Sequence, residues 1–138
     1  MPSFYLMFNG NCREALQAYE SAFDTKVERV QKYSDMPPDP SFPISDADKD
    51  KIMHSLMHIL GTEFMFSDSS DDCKPGSNMY VSVSGDERTV RKAWDVLKKD
   101  GTVYMELAPA FFAKLHGSLR DRFGVNWMFS VGIETGMA

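Results

Sequence analysis

The chain has 138 residues, of which 43% are hydrophobic and 25% charged, with a formal net charge of −5. That length bounds one domain or two half-size modules sharing a core, and the composition is that of an ordinary soluble globule. The acidic balance argues against a nucleic-acid or anionic-membrane surface, no apolar run is long enough to span a bilayer, and two cysteines, Cys12 and Cys73, are too few for a disulfide framework or a metal knuckle, so a reduced, cytoplasmic setting is the expectation.

Residues 4–8, FYLMF, predict a short apolar strand ended by the turn pair Asn9-Gly10. Asn11 stands at a helix-cap position, with Glu14 where a capping box needs it. Ala15, Leu16, Tyr19 and Phe23 recur at helical spacing and predict an amphipathic helix over 12–23. Val-rich residues 26–33 predict a strand flanked by charge. Residues 34–50 hold four of the seven prolines and predict an exposed loop, because proline cannot sit in a central strand or a helix interior. Strands follow at 52–59 and 62–68 around a turn at Gly61-Thr62, and residues 69–77, SSDDCKPGS, read as a polar linker.

The same order then recurs. Residues 78–84 predict a strand, and Asp86 caps a helix over 87–99 with Val90, Trp94, Val96 and Leu97 on its apolar side. Gly101 stands where a glycine closes a helix. Strands are expected at about 102–107 and 125–131, while residues 110–123, AFFAKLHGSLRDRF, fit either a strand with a turn or a short helix.

The two halves also match in sequence. GTEFMFS at 61–67 answers GVNWMFS at 124–130, and FYLMFNG at 4–10 answers MYVSVSG at 79–85. A shift of 75 pairs Phe4 with Met79, Gly10 with Gly85, Arg13 with Arg88 and Tyr19 with Trp94. A shift of 63 pairs Gly61 with Gly124, so the first copy is 12 residues longer between its helix and last strand, where the Pro-rich loop lies. Two blocks in the same order imply two copies of one small α/β unit. The expected organisation is a single domain, 1–138, with module 1 at about 1–70 and module 2 at about 76–138.

A repeat of strand, helix and three strands resembles the vicinal oxygen chelate superfamily, which includes glyoxalase I, the extradiol dioxygenases and the bleomycin- and fosfomycin-resistance proteins. Three segments resemble its PhnB-like group, whose members often carry a demethylubiquinone methyltransferase-like label: YLMFNGNCREALQAYESAF at 5–23, KIMHSLMHILGTEFMFSD at 51–68 and DRFGVNWMFSV at 121–131. The resemblance implies an α+β fold, two βαβββ modules forming a curved mixed sheet with helices on the convex side. It places small ligands or metals in the concave cup. It also implies a homodimer, since paired modules in the superfamily often complete one cup from two chains.

Strand alternation assigns the faces. Ser3, Tyr5 and Met7 turn to the cup, as do Asn78, Tyr80 and Ser82. On the last strands Glu63, Met65 and Ser67, with Asn126, Met128 and Ser130, do the same, while Leu6, Phe8, Val81 and Val83 lie under the helices. Metal-using members of the superfamily take ligands from the first and last strands of each module. The matching positions here are Ser3, Met65, Asn78 and Met128. A divalent catalytic metal favours imidazole and carboxylate ligands, and a thioether is too soft for Mn, Fe, Mg or Zn. No metal and no cofactor is therefore expected.

A relocated metal site would draw on His54, His58 and Glu106. The two histidines share a strand face but stand four residues apart, at ~3.3 Å per residue. His54 and Glu106 are the candidates for acid–base chemistry; Glu106 stands near a position where the PhnB-like pattern usually has proline. Cys12 lies on the first turn of a helix, where the dipole lowers a thiol pKa, but no base or oxyanion site accompanies it. Phe111-Phe112-Ala113 replaces the Phe-Trp-Gly that relatives often show. The methyltransferase label finds no support, because no Gly-rich strand-to-helix loop is present for S-adenosylmethionine.

The expected function is binding of a small apolar or aromatic molecule in the cup without the usual divalent metal. Tyr5, Met7, His54, Met65 and Ser67 are the candidate ligand-binding residues of the first module, and Tyr80, Tyr104 and Met128 those of the second. The alternative is a metal-dependent lyase, isomerase or dioxygenase with a relocated site. Neither reading includes a nucleic-acid or membrane partner.

Overall fold

Alternation of apolar residues along eight strands builds two four-stranded sheets in a computed structural model that describes residues 1–133. Contacts divide the chain into two compact units, one of Met1–Glu20 with Asp24–Lys74, the other of Ser21–Phe23 with the stretch from Pro75 onward.

In the first unit the chain runs β1 (Phe4–Phe8), α1 (Cys12–Phe23), β2 (Val27–Lys32), β3 (Ile52–Ile59) and β4 (Thr62–Asp68). The spatial order is β1-β4-β3-β2, with β1 and β4 parallel and the other pairs antiparallel. Phe8 and Phe66 turn toward α1, where the ring of Tyr19 meets theirs at centroid distances of 6.4 and 5.8 Å. All three are essentially fully buried, and burial of a side chain of this size contributes about 1.5–3 kcal/mol.

The second unit repeats the plan with β5 (Val81–Ser84), α2 (Glu87–Leu97), β6 (Thr102–Ala110), β7 (Ala113–Arg120) and β8 (Asn126–Ile133). Its spatial order is β5-β8-β7-β6, again with the outer first strand parallel to the last. Trp94 of α2 meets Phe129 of β8 edge to face at 5.9 Å, the counterpart of Tyr19 on Phe66. Each unit is thus βαβββ with a mixed sheet, and the fold is α+β as expected, with one sheet per unit.

Several local expectations are corrected. Asn11 makes no side-chain cap on α1. The buried carboxylate of Asp68 takes over, accepting the Cys12 N–H and the Ile52 N–H at 2.9 Å each. The α2 cap is as expected, Asp86 accepting the Thr89 N–H at 2.7 Å. That helix ends at Leu97, and the left-handed residue beyond it is Asp100 (φ 57°), not Gly101. Gly101 is needed for space instead, since a Cβ there would collide with the Arg120 carbonyl oxygen.

Strand β5 begins at Val81, three residues later than expected, because the Met79 carbonyl accepts from the Asn126 side chain at 3.1 Å. Strand β6 continues through Pro109 to Ala110, which an edge strand tolerates because its outward N–H needs no partner. The ambiguous segment is a strand: Ala113, Leu115 and Leu119 of β7 are buried on alternating positions.

Candidate functional site

Among the described residues α1 packs its Tyr19 on one face of the first sheet and α2 its Trp94 on one face of the second, and the side chains that alternate with those faces form a second, open array. On that open face of the first unit, strand pairing sets Tyr5 beside Met65 and Met7 beside Ser67, with Leu56 on the other side of Met65. Tyr5 and Met7, on the edge strand β1, are 46% and 50% exposed, and Ser67 on the neighbouring β4 is buried. The Tyr5 hydroxyl lies 3.3 Å from His54 Nδ1, and the two rings sit 5.8 Å apart. The five first-unit candidates therefore share one face, with the Tyr5–His54 pair as its polar element. His58 does not join them. It pairs with Glu28 at 2.8 Å, each side chain about half exposed, so the two histidines serve different partners.

The open face of the second unit is more polar. Pairing sets Ser82 and Ser118 on either side of Met128, Ser84 and His116 on either side of Ser130, and Arg120 beside Asn126. Tyr80 and Tyr104 meet edge to face at 6.2 Å, and the Tyr104 hydroxyl donates to Asn126 Oδ1 at 3.1 Å. His116 Nδ1 lies 2.8 Å from the Ser130 hydroxyl, with the Phe112 ring 4.8 Å from the imidazole. Arg120 and His116 were not among the sequence candidates. Their signal was the period-two burial of Ala113, Leu115 and Leu119, which turns the even-numbered residues of 114–120 to the open face.

Glu106 is exposed, with no hydrogen bond or ion pair among the described residues, and it belongs to the second unit while His54 belongs to the first. Among the described residues no group of three or more His, Cys, Asp or Glu is placed to hold a metal ion. Strand pairing also corrects the repeat register. Phe4 pairs with Phe64, and Val81 pairs with Trp127, so the first strands correspond by a shift of 77 while the last strands keep 63. The counterpart of Ser3 is then Tyr80 instead of Asn78. The four metal positions become Ser3, Met65, Tyr80 and Met128, and this donor set still does not fit a hard divalent metal.

The helix-dipole lowering of the thiol pKa expected at Cys12 is overturned. The residue is wholly buried, and burial first, then the neighbouring Asp68 charge, pushes its thiol up to about 12. The helix dipole does not overcome that desolvation.

The family described as 3-demethylubiquinone-9 3-methyltransferase matches residues 3–130. Among solved structures, protein PA1353 from Pseudomonas aeruginosa is 31% identical with a TM-score of 0.84, covering 97% of this chain and 98% of that one. A putative 3-demethylubiquinone-9 3-methyltransferase, PhnB protein, from Bacillus cereus is 26% identical with a TM-score of 0.78, covering 95% and 98%. The fosfomycin resistance protein FosX from Mesorhizobium loti shares the fold at 9% identity and a TM-score of 0.64, covering 98% and 93%. With the doubled βαβββ plan, these matches show that the chain belongs to the PhnB-like family that carries the 3-demethylubiquinone-9 3-methyltransferase description, within the vicinal oxygen chelate fold.

Proposed function

We propose that the protein binds a small apolar or aromatic molecule on its open sheet faces, without the divalent metal of the superfamily's metal-using members. The observation that carries this reading is the exposure of Tyr5 and Met7 beside Met65, on the sheet face opposite α1. Large apolar groups left in water at such positions gain free energy when a ligand covers them. The His54–Tyr5 pair supplies one polar anchor within that apolar surface. On the second unit, Met128 with Tyr80 and Tyr104 offers the same mixture of thioether and phenol. Methionine adapts its shape to a ligand, and tyrosine presents an apolar ring with a polar tip.

The thioether positions support the metal-free part of the proposal. Elemental analysis of protein purified without chelator tests it, and a stoichiometric divalent metal would overturn it. A thermal-shift series with neutral aromatics tests the binding part, because a ligand of the native state raises its melting temperature by mass action. A homodimer in the cytoplasm accords with the resemblance and the two free thiols, and light scattering at micromolar concentration reads the assembly directly.

A further inference from the structure

We propose that the open face of the second unit recognises the carboxylate of an aromatic acid through Arg120, with the Tyr80–Tyr104 pair beside the ring. This rests on the binding reading above and names the ligand's chemical class.

Arg120 is half-buried, and its guanidinium is fixed by two neutral acceptors. Nη2 donates to the Gly76 carbonyl at 2.9 Å, and Nε to Asn126 Oδ1 at 3.3 Å. Asn126 is itself locked, because its Nδ2 donates to the carbonyls of Gly76 and Met79 at 2.8 and 3.1 Å. Its Oδ1 is thereby held toward Arg120 and Tyr104. Arginine has five N–H donors, so three remain after these two bonds.

The missing feature is a countercharge. No ion pair joins Arg120 to a carboxylate among the described residues. The adjacent Asp121 is turned away and buried, accepting from the N–H groups of Phe123 and Val125 and from Trp127 Nε1. The residues that pairing and hydrogen bonds set around it are Thr102, Asn126, Tyr104, Ser118 and Met128, all neutral, with the exposed Glu106 two residues beyond Tyr104 on β6. A partly desolvated guanidinium without a countercharge is costly, and a carboxylate that meets its fork repays that cost through paired, charge-assisted bonds. Pre-fixing the fork also removes the side-chain ordering cost of binding.

The aromatic half of the ligand follows from what adjoins the cation. Tyr104 shares the Asn126 oxygen with Arg120, and Tyr80 stands edge-on to it, the two being 45% and 38% exposed. An aromatic ring there gains apolar burial and edge-to-face contact.

Calorimetric titration of the full chain with 2-naphthoate and with the neutral 2-naphthamide tests the proposal. Naphthoate is expected to bind about tenfold tighter or more, the worth of a charge-assisted hydrogen bond. Arg120→Gln should bring naphthoate to the affinity of naphthamide. Arg120→Lys, which keeps the charge without the fork, should retain a reduced preference and guards against a fold defect in the first variant. Equal binding of the two probes to the wild type overturns the carboxylate inference while leaving the apolar-ligand reading intact, and so does a preference that survives Arg120→Gln. Absence of binding by either probe overturns both.

Discussion

Asp68 and Cys12, 56 residues apart in sequence, meet at the start of α1, where a carboxylate oxygen accepts the Cys12 N–H at 2.9 Å. The other oxygen takes the Ile52 N–H at the same distance. One side chain thus ties the helix, β3 and β4 together in the first unit. Asp68→Ala leaves two buried donors without a partner, each costing about 1–3 kcal/mol. Asp68→Asn keeps one acceptor oxygen and should cost less. Urea unfolding of the two variants checks the order; equal losses would show that the hydrogen bonds do not carry the effect.

Cys12 should behave as an inert thiol. With its folded pKa raised from 9.0 to about 12 by burial, the folded state holds the proton more tightly than the unfolded chain. The associated stability is fully present below about pH 9 and is lost as pH rises from there toward about 12. Iodoacetamide at pH 8 should label Cys73, which is partly exposed, and reach Cys12 only in denaturant. Mass spectrometry of the native protein showing rapid labelling at Cys12 would contradict the burial argument.

Asp86 titrates the other way. Its bonds to Thr89, backbone first, hold the carboxyl below its ordinary value of 3.8. A depressed pKa adds stability that is present above the unfolded value and is lost as pH falls through the folded one. Melting curves of wild type and Asp86→Ala should be separated at pH 6 and converge between pH 4 and the acid limit. A separation independent of pH would assign the cap's effect to backbone geometry alone.

Element positions were legible wherever one residue pattern decided them. The spacing of Ala15, Leu16, Tyr19 and Phe23 gave α1 its observed bounds, and alternation gave β3 and β4 theirs. The pattern failed where a tertiary partner overrode a local signal. Asn11 is a good cap by type, but its side chain makes no cap bond, and Asp68 of β4 accepts the first helical N–H, that of Cys12, instead. The repeat shift of 75 aligned the turn residues after the first strands, and two extra residues in that connection moved the true strand register to 77. Tyr5, Met7, Met65 and Ser67 were readable because period two fixes a face. His116 and Arg120 were hidden because Gly117 interrupts the apolar alternation of β7, and that glycine answers to a neighbouring strand.

Gly117 shows how closely the two strands approach. A Cβ there would stand 2.8 Å from the Cα of Leu107, 2.9 Å from its nitrogen and 3.0 Å from the Met105 carbonyl oxygen. All three are backbone atoms, so no side-chain rotation relieves the clash, and β6 must move at its irregular stretch between Met105 and Ala108. Overpacking of this kind costs about 1–3 kcal/mol or more. Gly61 is the control: its φ of +86° disfavours a side chain, yet nothing lies within 4 Å, so alanine there meets only the left-handed penalty of about 1–2 kcal/mol. The two variants should separate in function as well as stability. Strand β6 carries Tyr104, whose hydroxyl reaches Asn126 at 3.1 Å, so Gly117→Ala should weaken 2-naphthoate binding while Gly61→Ala leaves it unchanged. Urea unfolding and the same calorimetric titration check both halves, and unaltered binding in a destabilised Gly117→Ala would remove Tyr104 from the ligand's surroundings.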